Sequence, residues 1–111
     1  MMLQINWDNP IIKEDEIMAI QPSDLDSFYM SGDSYTKTNI FFVLLASYHH
    51  YSDMGKSDCT AHLSFLMAYY LFIALTPPGS QQLAKQYIQQ AVLLYPTDEY
   101  RRWQDLIEKG N

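Results

Sequence analysis

The least polar part of the chain is AHLSFLMAYYLFIAL, residues 61–75, where apolar side chains recur on nearly every helical face until TPPGSQQ interrupts them. Amphipathic stretches frame it. Upstream, TKTNIFFVLLASYHHYSDMG puts Ile40, Val43, Leu44 and Ser47 on one helical stripe with Phe41, Leu45 and Tyr48 beside it, and Gly55 stands where a left-handed cap would end the helix. Downstream, SQQLAKQYIQQAVLLYP carries Leu83, Ala84, Tyr87, Ile88, Ala91, Leu94 and Tyr95 at helical spacing, and TDEYRRWQDLIEKG carries Tyr100, Trp103, Leu106 and Ile107 before Gly110. The pattern predicts four long helices, near 37–53, 57–76, 80–95 and 97–109. Their expected caps are Ser57 or Asp58, Ser80, and Thr97 or Asp98, with Pro77 and Pro78 stopping the second helix. Loops this short make each helix antiparallel to the one before. The expected fold class is all-α, made of antiparallel helical hairpins.

The first third reads differently. Residues 1–35 are expected to form an irregular N-terminal arm, and residues 36–111 the helical domain. Within the arm Pro10 and Pro22 act as breakers, PSDLDSFYM suggests a short helix capped by Ser23 or Asp24, and LQINW is an extended stretch with no partner strand. Asp8, Glu14, Asp15, Glu16, Asp24, Asp26 and Asp33 face Lys13 alone here, a net −6, while six acids and six bases balance from Thr36 onward. The arm therefore carries the whole formal charge. Such a segment either keeps the molecule solvated or steers a basic partner and covers a groove. Nucleic acid is not an expected partner, because phosphate neutralisation needs clustered bases and Arg101 with Arg102 is the sole adjacent pair.

Composition narrows the class. Hydrophobic residues make up 48% and aromatics 14%, the profile of a chain that packs a core. With Cys59 as its one cysteine and no basic region followed by an apolar one at the N-terminus, the chain is expected in the reducing cytoplasm. The apolar run, about 13 to 15 residues, falls short of the roughly 20 that cross a bilayer, so no membrane span is expected.

Ala84, Ile88, Ala91 and Pro96 stand at offsets of 0, 4, 7 and 12, and Met67, Ala68 and Leu71 supply a large, a small and a large residue in the helix before them. Small residues on one stripe let two helices nestle, and proline halts the second before the next begins. Over residues 57–96 the chain thus resembles a tetratricopeptide repeat, with a partial or capping repeat on each side. It departs from that pattern at Ser64, where the repeat usually has Trp, and in a TPPG loop about four residues longer than the period of about 34 allows. A plain helical bundle would give the same antiparallel helices. In size, acidity and degenerate repeats the chain also resembles, by type only, the small acidic chaperones of bacterial type III secretion.

Sandwiched between two neighbours, the helix over 57–76 can bury Leu63, Leu66, Met67, Tyr70, Leu71, Ile73 and Ala74, yet Phe65, Tyr69, Phe72 and Leu75 remain in surplus. Each large side chain left exposed forfeits about 1.5 to 3 kcal/mol that a partner could recover. The expected contact residues are Phe41, Tyr48, Tyr51, Phe65, Tyr69 and Phe72, lining an apolar groove or a dimer interface. The alternative is that Ile11, Ile12, Ile17, Ile20, Phe28 and Tyr29 of the arm fold back as the cover, which would move the search to the faces of Tyr48 and Tyr87.

Chemistry is sparse. Cys59 and His62 share a helical face with Asp58, but no further cysteine or paired histidine completes a metal set, and no glycine-rich turn or phosphate loop accompanies them. Neither metal, cofactor nor enzymatic activity is expected. Three functions fit: a small cytoplasmic chaperone or adaptor holding a hydrophobic segment or helix of another protein, an immunity or antitoxin-like inhibitor, and a self-associating structural subunit.

Overall fold

The computed structural model describes residues 9–110, and among them every regular element is helical. The order is α1 (Glu14–Ile17), α2 (Pro22–Ser31), α3 (Ser34–Asp53), α4 (Ser57–Tyr69) continued by a π-helical segment (Tyr70–Ala74), α5 (Ser80–Leu94) and α6 (Asp98–Lys109). LQINW, at 3–7, lies outside the described residues.

Local chemistry explains the boundaries. Asp33 starts α3 by accepting the Thr36 N–H at 2.8 Å, and Thr97 starts α6 by accepting that of Tyr100 at 3.1 Å. Helix α3 ends in a Schellman arrangement: the Lys56 N–H bonds to the Tyr51 carbonyl and the Gly55 N–H to that of Ser52, with Gly55 at φ 72. Three caps fall earlier than the side-chain pattern suggests. Gln21, Lys56 and Gly79 occupy the cap positions of α2, α4 and α5, so Ser57 and Ser80 are first helical residues. In α2 the expected cap Asp24 instead accepts the Gln21 N–H from inside the helix, behind Pro22, whose fixed φ suits a first helical position. The last turn of α4 widens, with the Leu75 N–H reaching the Tyr70 carbonyl at 2.8 Å.

Cross-helix contacts give the register. The Tyr70 hydroxyl donates to the Lys37 carbonyl at the start of α3, the Ser64 hydroxyl to the Tyr87 carbonyl of α5, and the Gln81 amide to the Ile107 carbonyl of α6. The first and third of these bonds join the start of one helix to the end of its neighbour, and the second joins the middles of α4 and α5. Every residue from Cys59 to Phe72 is buried.

What buries α4 corrects the expected arm. Ile40, Val43 and Leu44 of α3 and Ala84, Ile88 and Ala91 of α5 cover two of its sides, and Ile12, Ile17, Ile20 and Leu25 join the same core from residues 12–25. Where it is described, from residue 9, the arm carries α1 and α2 rather than an irregular leader, and these four residues are the missing wall. Backbone and side chains fasten it as well: the Ile12 N–H donates to Ser47 Oγ at 3.0 Å, and the Tyr51 hydroxyl donates to the Ile12 carbonyl at 2.6 Å.

Ala84 and Ala91 are wholly buried on the α5 stripe. Ala91→Leu should therefore overpack this contact and lower stability by about 1 to 3 kcal/mol, read from urea melts. An unchanged midpoint would mean that α5 has room there which its burial denies.

Candidate interaction surface

The six expected contact residues separate into two groups. Tyr51, Phe65, Tyr69 and Phe72 belong to the core and line no open groove. Phe65 is fully buried with its ring 4.9 Å from that of Tyr100, and Tyr69 donates to both Asp26 carboxylate oxygens, at 2.8 and 2.9 Å, with its ring edge-on to Trp103. Burial and then Asp26 push the Tyr69 phenol up to about 12, so it stays a donor. The expectation of exposed rings fails here because α2 and α6, together with residues 12–20, close over α4.

Phe41 and Tyr48 remain half-buried on α3 and meet Tyr87 of α5. Their rings form one edge-to-face ladder: Phe42 to Phe41 at 5.8 Å, Phe41 to Tyr87 at 6.4 Å, Tyr87 to Tyr48 at 6.2 Å and Tyr48 to His49 at 5.2 Å. Phe42, at the end of the ladder, is 56% exposed. Neither the Tyr48 nor the Tyr87 hydroxyl has a hydrogen-bond partner among the described residues, and partial burial raises both phenols above their ordinary range. Both are thus available as neutral donors beside an apolar strip. Phe42 was legible only as an apolar residue off the main stripe of α3, which is why periodicity alone did not select it.

Polar chemistry lies elsewhere and is mostly satisfied. A shallow open depression of about 520 Å³ is bordered by Glu14, Met18, Lys56, Asp58, Cys59 and Tyr95. The Lys56 ammonium pairs with the Glu14 carboxylate at 2.7 Å across it. Cys59 is buried, and desolvation followed by the Asp58 and Glu14 charges pushes its thiol up, away from the thiolate that nucleophilic attack or metal binding requires. His62, its neighbour one turn on, spends both ring nitrogens on the Tyr100 hydroxyl and the Ile20 carbonyl. Among the described residues no three His, Cys, Asp or Glu side chains could share a metal ion, and no helix is long and apolar enough to cross a membrane.

Comparison of the chain with protein-family models, with curated proteins and with solved structures finds no match in any of the three.

Proposed function

We propose that this chain is a protein–protein interaction module, a small cytoplasmic chaperone or adaptor that holds a hydrophobic segment of a partner against the Phe41–Phe42–Tyr48–Tyr87 strip. The supporting observation is the strip itself: an exposed Phe42 continuous with three half-buried rings, beside two phenols with no partner among the described residues. Aromatic rings that bury area at little entropic cost and carry a polar tip are what interfaces favour. The repeat-like reading agrees with this role, since Ala84, Ile88 and Ala91 are buried at the offsets where such repeats place their close helix contact. We infer binding rather than catalysis.

A photo-reactive phenylalanine analogue at position 42, with a second at the exposed Asp105 as control, tests the reading in the native cell. An adduct formed from position 42, absent from 105 and lost when Tyr48→Ser is added, is the expected result. A dimer of this chain as the adduct would favour the self-associating subunit. Identical adducts from both positions would sink the strip. The inhibitor-type alternative draws on the acidic first turn of α1, Glu14, Asp15 and Glu16. Partner capture that fails at high salt and survives loss of Phe42 would favour it.

A further inference from the structure

His62 lies in the core, 5% exposed, whereas His49 and His50 face solvent. Three parts of the chain meet at its ring. Nε2 is 2.8 Å from the Ile20 carbonyl, and Nδ1 is 2.7 Å from the Tyr100 hydroxyl on α6. A carbonyl can only accept, so Nε2 carries the hydrogen and Nδ1 accepts the Tyr100 O–H. The neutral ring is a bridge with a fixed direction.

A proton added at Nδ1 acts differently on the two sides. The bond to the Ile20 carbonyl keeps its direction and gains from the charge. The bond to Tyr100 must reverse, which turns the phenol hydrogen away in a side chain 2% exposed, with no other partner for that hydroxyl among the described residues. The groups acting on the ring are the Tyr100 phenol and Glu99 carboxylate from α6 and the Ile20 carbonyl, with the apolar Phe65 ring beside it on α4. Glu99 and the carbonyl favour the charged ring, but burial outweighs them and holds His62 below its ordinary 6.5.

We propose that His62 is an acid-sensitive latch, whose protonation drives Tyr100 and the first half of α6 off α4 while residues 12–31 stay docked, uncovering Phe65 and Tyr69. This is a property of the fold and does not depend on the Phe42 strip being the binding surface. The sign is set by the lowered folded value: the closed ring binds its proton more weakly than a solvated one, so closure is at full strength above 6.5 and weakens progressively as pH falls below it.

Hydrogen exchange of the full chain, corrected for intrinsic rates and run from about pH 7.5 to about pH 5, tests this directly. Protection at 98–104 should fall by up to about tenfold for each pH unit below 6.5, with 12–31 and 80–94 unchanged. His62→Gln, which cannot titrate there, should abolish the response. Should that variant fail to fold, the His62 ring signal in wild-type NMR spectra decides, because its titration must coincide with the loss of protection at 98–104. Titration of the ring with α6 still protected overturns the latch. So does loss of protection in the arm first, or in all segments together.

Discussion

Replacing Tyr69 and Phe72 together with serine should unfold much of the domain rather than produce a folded protein that has lost a binding face. Both rings are over nine-tenths buried, and Tyr69 also holds Asp26 of α2 and rests on Trp103 of α6. Truncating a buried aromatic costs about 3 to 5 kcal/mol, and a domain of this size has only about 5 to 15 kcal/mol to lose. Urea melts of the double variant should therefore show a midpoint near zero denaturant or no transition at all. Tyr69→Phe divides the effect. It keeps the ring and removes the two bonds to Asp26, for an expected loss of about 1 to 3 kcal/mol. A double variant that melts like the parent would place both rings outside the core.

Comparable losses are expected at a distance from α4 in sequence. Ile17 and Leu25 are each fully buried, and Ile17→Ala or Leu25→Ala should cost about 2 to 5 kcal/mol by thermal or urea melting. A solvated leader would tolerate either change within about 0.5 kcal/mol. Binding of a hydrophobic dye should rise in both variants, because loosening residues 12–25 lays open the side of α4 they cover. A silent Leu25→Ala would show that α2 only rests on the surface.

The long helices were legible because their signals are local. Ile40, Val43, Leu44 and Ser47 repeat within one helix, and all four are buried. Thr97 and Gly55 act within one turn of themselves, so their roles as cap and stop could be read directly. Caps such as Gln21, Lys56 and Gly79 escaped because neither Gln nor Lys is a strong capping residue, and Ser23, Ser57 and Ser80 each offered a better-looking choice nearby. The cover over α4 escaped for a different reason. Tyr69 finds Asp26 across 43 positions and His62 finds Ile20 across 42, and no periodicity links such pairs. The arm's acidity pointed to solvent, yet Ile12, Ile17 and Ile20 are interspersed with those charges and turn inward. Consequently Phe65, Tyr69 and Phe72 were rightly seen as too apolar to leave bare, and wrongly assigned a foreign partner when the chain supplies its own. Phe41, Tyr48 and Tyr87 remained in view because no segment among the described residues closes fully over them.

The double tie at Ile12 bears on when the molecule becomes whole. Its N–H and carbonyl are held by Ser47 and Tyr51, 35 and 39 positions later, so docking must wait until α3 has been made. At synthesis rates of about 5 to 20 residues per second the delay is on the order of seconds. Contacts of such long range also form late in refolding. The order of manufacture nevertheless works in the protein's favour: residues 12–25 leave the ribosome before 61–75, so the greasiest helix emerges with one of its walls already waiting. A circularly permuted chain that moves residues 9–31 behind α6 would reverse that order, presenting α4 uncovered through the rest of translation and favouring aggregation in the cell at unchanged equilibrium stability.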